Sequence, residues 1–161
     1  MFKGKNTRIT DFLYQECIKI PLSNIKKTEI IEELLGVILE TCPDIDRQVA
    51  YKSLMEREKI ETTGIGSGVA LPHARIKGLK RSRFAFGIAP KGIDFKSVDG
   101  KPVTSIFLIL FPEKEANTQL YVLARLSRFL NNKNFLKELS ACKTGQQVID
   151  VFTQYEKDDF S

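Results

Sequence analysis

The spacing of hydrophobic positions changes several times along this chain, and each change marks an element. Ile30, Ile31, Leu34, Leu35, Val37 and Ile38 recur at helical steps, which predicts a core-facing helix capped by Ser23 or Asn24. Pro43 and Asp44 then break the chain and open a second helix running to about Lys59, with Ala50 and Leu54 on one face. From Thr62 to Gly68 glycines and small residues replace the periodic pattern and read as a loop. A short strand, Val69 to Leu71, follows and delivers Pro72 and His73 at its end. Phe84, Phe86 and Ile88 alternate with Ala85, Gly87 and Ala89, giving a strand with one bulky face.

Val103 to Phe111 reads as a central strand buried on both faces, so helices must cover the sheet on both sides. After it, Asn117 or Thr118 can cap a helix carrying Leu120, Leu123, Ala124, Ser127 and Leu130 toward the core. Phe135 to Leu139 predicts a short helix. A capping box from Thr144 to Gln147 opens the last helix, which buries Val148, Val151, Phe152 and Tyr155. No internal repeat, low-complexity segment or linker divides the chain, which predicts one α/β domain over residues 1–161.

Composition agrees: 161 residues, 42% hydrophobic and 28% charged, suffice for one core without staples. Met1 to Thr10 is polar and basic, and the longest fully apolar run, Ile106 to Phe111, falls far short of the ~18 residues a membrane span requires. The expectation is a cytoplasmic protein without membrane insertion. Cys17, Cys42 and Cys142 lack C-x-x-C spacing, and one histidine cannot complete the usual Cys/His site, so no metal and no other cofactor are expected. The net charge of +5 admits an anionic partner. Its densest stretch, Arg75, Lys77, Lys80, Arg81 and Arg83, lacks interleaved aromatics and reads as a solvated loop rather than a nucleic-acid interface.

Candidate chemistry concentrates between Glu56 and Arg75, EREKIETTGIGSGVALPHAR. Gly64, Gly66 and Gly68 do not make a dinucleotide fingerprint, because Val69 stands where the third glycine belongs and a helix precedes them. Their spacing permits a small anion nest or a merely structural turn. A lone histidine is more often a surface or satisfied residue. Here the setting changes the reading, because neutral imidazole is a competent nucleophile near pH 7 and a phosphoryl group on its nitrogen stays transferable. Arg57, at the end of the preceding helix, has the planar fork that suits the charge developing in such a transfer. A hydrolase triad finds no G-x-S-x-G elbow.

Glu56 to Lys59, Thr62 to Gly68 and Ala70 to His73 together resemble the signature of the enzyme IIA domains of the bacterial phosphotransferase system, mannitol/fructose type, including the free-standing nitrogen-regulatory members. The likeness extends less sharply from about Ile9 to Tyr155, through the D-G-x-P-V turn at Asp99 to Val103. The resemblance implies a mixed β-sheet flanked by helices on both faces, and a histidine phosphorylated by the small carrier HPr or a paralogue. By position these roles fall to His73 as acceptor and to Arg57 as stabiliser of the phosphoryl group; loop N–H groups at Thr63 and Gly64 and the side chain of Gln119 are the further candidate stabilisers.

One position departs from the pattern. The family commonly has a second histidine at the start of the helix after the central strand, and Gln119 holds that place here. Glutamine offers a neutral hydrogen bond but does not titrate near pH 7; ordinary drift on a helix surface is the equal alternative. These 161 residues contain no IIB or IIC segment. The expected output is therefore regulatory, a target protein bound differently once His73 is phosphorylated. The alternative is transport, with phosphate passed to a fructose/mannitol-type IIB domain.

Overall fold

A strand with no polar face must sit inside a sheet, and the run beginning at Val103 does so. The computed structural model describes residues 7–160, with side chains as far as Lys157. Met1 to Asn6, most of the segment read as polar and basic, lie outside the described residues. The strands are β1 (Ile18–Lys19), β2 (Gly64–Gly66), β3 (Val69–Ala70), β4 (His73–Ile76), β5 (Arg83–Ile93) and β6 (Val103–Pro112). The helices are α1 (Lys27–Thr41), α2 (Arg47–Ile60), α3 (Ala116–Leu130), α4 (Lys133–Ser140) and α5 (Gly145–Phe160).

The sheet order is β1-β5-β6-β3-β2, with β4 also on β6. β5 and β6 run antiparallel, whereas β3 and β4 run parallel to β6, so the sheet is mixed. Ala70 pairs with Ile106 and His73 with Ile109, so β3 and β4 share one register along one edge of β6. Between them stands Pro72, which has no N–H to give.

Alternation sends β6 side chains to both faces. Phe107, Ile109 and Phe111 join Phe84, Phe86 and Ile88 against α3, α4 and α5, where Leu126, Phe135 and Phe152 are fully buried. Ile106, Leu108 and Leu110 face Leu34, Leu35 and Leu54 of α1 and α2. The bulky face expected for β5 thus meets one layer, and its small face lets the other come close. At Gly87 a Cβ would lie 2.5 Å from Leu22 Cδ2.

Several expected helix starts are displaced. Neither Ser23 nor Asn24 caps α1, which follows Lys26; their N–H groups instead donate to the Glu33 carboxylate at 2.8 and 3.1 Å. Glu33 also pairs with Lys19, and these bonds hold its pKa down at about 2 against the cost of burial. α2 is capped by Asp46, which accepts from the Val49 N–H at 3.1 Å, not opened at Pro43 and Asp44. α3 follows Glu115, and neither Asn117 nor Thr118 caps it. Its buried stripe is Thr118, Val122, Leu126, Phe129 and Leu130, so Leu120, expected in the core, is 68% exposed, with Ala124 and Ser127 also on the outer side. Half of the expected box at α5 forms. Thr144 Oγ1 accepts from the Gln147 N–H at 3.1 Å, but the Gln147 side chain accepts from Lys143 instead of the cap.

The segment read as a loop from Thr62 to Gly68 contains β2, which folds back on β3 as a hairpin. Gly66, Ser67 and Gly68 all have left-handed backbone at the turn (φ +98°, +58° and +78°), which explains the two glycines there. Of the basic stretch, Arg75 lies in β4 and Arg83 opens β5, so the loop is shorter than expected.

Candidate functional site

The hairpin and the proline together shape the surroundings of the histidine. Pro72 continues the pairing with β6 through its carbonyl, which accepts from the Ile109 N–H at 3.0 Å. Leu71 faces the other way, and its N–H donates to the Thr63 carbonyl at 2.9 Å. The Leu71 carbonyl meets His73 Nδ1 at 2.7 Å. A carbonyl only accepts, so Nδ1 carries the proton and Nε2 keeps its lone pair. Backbone geometry thereby selects the tautomer.

His73 is 9% exposed, so the residue is nearly withdrawn from solvent. The ring sits edge-on to Phe111, centroids 6.3 Å apart, on the face of the sheet covered by α3. Burial pushes its pKa below the ordinary histidine value; the Leu71 carbonyl pulls it up, Arg57 lowers it, Glu58 raises it and Arg75 lowers it. The neutral, nucleophilic ring therefore prevails at neutral pH.

Arg57 lies in the last turn of α2, half-buried, and donates Nη1–H to the Glu61 carbonyl at 2.8 Å. Its positive charge is one of the causes that lower the His73 pKa. The N–H groups expected to face an anion at Thr63 and Gly64 are engaged within the fold. Thr63 N–H donates to the Glu58 carboxylate at 3.2 Å, and Gly64 N–H donates to Thr62 Oγ1 at 3.1 Å. These two residues brace the loop in this structure. Gln119, on the first turn of α3, is half-buried, and its Oε1 has no hydrogen-bond partner.

Sequence reasoning gave no role to Glu58 or Lys27 and read Arg75 as part of a solvated loop. Glu58 is 7% exposed and pairs with Lys27 Nζ at 2.6 Å, while Arg75 shares the alternation of His73 two residues on. A carboxylate on a charged helix end reads as solvated, and its partner Lys27 lies 31 positions away. Only the adjacency of Glu58 to Arg57 pointed to it. Among the described residues no group of three or more His, Cys, Asp or Glu side chains is placed to hold a metal, and no helix is long and apolar enough to cross a membrane.

Comparison with known proteins now bears on the site. Residues 11–155 match the family model described as "Phosphoenolpyruvate-dependent sugar phosphotransferase system, EIIA 2". The chain is 35% identical over 143 residues to a nitrogen regulatory protein of Bradyrhizobium diazoefficiens, covering 89% of this chain and 93% of the relative. It is 34% identical over 150 residues to the fructose-specific EIIABC component of Bacillus subtilis; the match covers 93% of this chain but spans only 24% of that longer relative. The crystal structure of the nitrogen regulatory protein IIA-Ntr from Neisseria meningitidis superposes with a TM-score of 0.84 at 30% identity, over 89% of this chain and 98% of that one. The mannitol IIA of Escherichia coli shares the fold, with a TM-score of 0.73 at 19% identity over 87% of this chain and 98% of that one.

Proposed function

The chain belongs to the EIIA 2 family of the phosphoenolpyruvate-dependent sugar phosphotransferase system, and from that premise we propose that His73 accepts a phosphoryl group on Nε2 from an HPr-like phosphocarrier protein. The observation that carries this reading is the 2.7 Å bond from Nδ1–H to the Leu71 carbonyl, which leaves Nε2 as the nucleophile. As Nε2 bonds to phosphorus, the donor's P–N bond breaks and its electron pair returns to the donor imidazole. His73 keeps its Nδ1 proton, so no proton crosses the interface. The positive charge appearing on the ring strengthens its bond to the Leu71 carbonyl. Arg57 stabilises the oxygens of the transferring group, and Thr63 and Gly64 contribute by holding the loop in shape.

A protein donor suits the surroundings. Ile60 is 82% exposed at the end of the Arg57 helix, Val98 is 72% exposed where its N–H joins the Gly64 carbonyl, and Leu120 projects beside Gln119. Such apolar side chains next to a charged site are the anatomy of a transient interface. The direct test is incubation with phosphoenolpyruvate, enzyme I and the cognate HPr-like protein, read by intact mass. One phosphoryl group, labile to acid and stable to base, is expected on the native chain and none on His73→Ala; label persisting in that variant rejects the assignment.

The output we infer is regulation in the cytoplasm by phosphorylation-dependent binding of a target protein. Gln119 supports this, because it gives the phosphoryl group a neutral partner where a second imidazole would assist rapid exchange. Relatives named nitrogen regulatory proteins support it too. The B. subtilis fructose component supports the second reading, transfer to a IIB domain. Capture of partners by free and phosphorylated protein, run beside transfer to each available IIB, separates them. Rapid discharge to a sugar-specific IIB with no phosphorylation-sensitive partner would reject regulation.

A further inference from the structure

Lys27 and Glu58 form a buried ion pair, and nothing in the phosphoryl step above uses it. Their side chains are 20% and 3% exposed at a 2.6 Å separation. An ion pair taken this far out of water gives weak net stabilisation. What it does give is fixed geometry. Lys27 also donates to the Phe95 carbonyl at 3.2 Å and lies 4.7 Å over the Phe95 ring, which is fully buried. Its ammonium is thus anchored from the start of α1. Glu58 in turn accepts from the Thr63 N–H at 3.2 Å through both oxygens and from the Thr63 hydroxyl.

Thr63 is the point from which the acceptor loop is hung. Its carbonyl accepts the Leu71 N–H at 2.9 Å, and the Leu71 carbonyl accepts Nδ1–H of His73 at 2.7 Å. Pro72 leaves this stretch without a ladder donor of its own, so the hold on Leu71 comes from Thr63. Arg57 and Glu58 are consecutive on α2, so one turn of helix both presents the guanidinium and grips the loop.

We propose that Glu58, held by Lys27, is a positioning residue for phosphoryl acceptance: acting through Thr63 it fixes the direction of the Leu71 carbonyl and hence the tautomer of His73. The proposal rests on the reading of His73 Nε2 as acceptor, but its first readout needs no phosphorylation. The charged groups that act on the titration of the ring are Arg57 and Glu58 from α2 and Arg75 from its own strand. A chain with one histidine gives a single imidazole signal, so nitrogen-15 spectra report tautomer and titration without ambiguity.

Glu58→Gln, Thr63→Ala and Lys27→Met, each checked for a native amide spectrum, are compared with the native chain. The loosened carbonyl should let the Nε2–H tautomer appear in the variants, and initial phosphorylation by the HPr-like donor should fall by about tenfold, the order expected when a reacting atom loses its fixed orientation. Should one variant fail to fold, the other two carry the test. A native tautomer in every folded variant overturns the proposal, as does a tautomer shift with an unchanged rate. Failure of the acceptor assignment reads differently: the native chain would then take no label on His73, whatever the ring spectra of the variants.

Discussion

Arg57 has one Nη1–H committed to the Glu61 carbonyl, and in the proposed step the other donors of its fork meet the incoming anion. Arg57→Ala should fold normally and be phosphorylated at least about tenfold more slowly, since one charge-assisted contact in a transition state is worth ~1.4 kcal/mol or more. Arg57→Lys should recover only part of that rate, because a point charge does not reproduce the planar fork. An unchanged initial rate in the alanine variant would make the arginine structural. The ring itself predicts a pH profile. Burial lowers the His73 pKa, so the neutral nucleophile persists as pH falls through the ordinary histidine range near 6.5 and is lost only below it. Phosphorylation rate measured on a donor whose own profile is known should therefore hold at neutral pH and fall to half only below the ordinary histidine value of about 6.5. A rate that halves near pH 7 would contradict the buried, neutral ring. Motif spacing singled out His73 and Arg57 as candidates at this level. Glu58 was not legible, because what distinguishes it from its solvated neighbours is a partner supplied by α1.

Periodic patterns gave the existence of the five described α-helices and of the two long strands, since burial on one face or on two writes itself into 3.6- and 2-residue spacing. Helix starts were less legible. Ser23 and Asn24 have capping chemistry, yet a carboxylate ten or nine residues on, Glu33, takes their N–H groups. The face of α3 was misplaced because apolar residues surround more than half of it, and only packing decides that Leu126 goes in and Leu120 stays out. α5 carries a buried acid that its helical pattern hid. Glu156 is 1% exposed and accepts the Ile9 N–H at 2.6 Å, with Thr10 N–H and Oγ1 at 3.1 and 2.8 Å. It clasps the first turn of the described chain to the last helix. Glu156→Ala should cost about 2–4 kcal/mol, because it strands a buried N–H as well as removing charged-acceptor bonds. Thermal unfolding of the variant checks this; a Tm unchanged within error would show that the clasp contributes nothing.

The assembled molecule sets the candidate acceptor at the start of β4, an edge strand that packs against α2 and follows the β2–β3 hairpin, while α3 packs on the neighbouring β6. That arrangement was legible only through the likeness to a known family, because register and strand order arise from contacts far apart in sequence. The exposed apolar side chains on those elements argue that the donor is recognised by surface. Leu120→Asp or Ile60→Asp should raise the KM for the HPr-like donor by about tenfold while leaving kcat nearly unchanged, as expected for lost uniform binding. A fall in kcat with unchanged KM would place those side chains in the chemistry instead. The predicted effects on phosphorylation presuppose one bond, formed between phosphorus and Nε2 of His73. Nitrogen-15 spectra of the single imidazole, recorded before and after phosphorylation by the HPr-like donor, observe that bond directly. The account predicts an Nδ1–H ring at the start and a phosphoryl group on Nε2 at the end. Attachment at Nδ1, or a phosphorylated chain whose imidazole is unchanged, would contradict it.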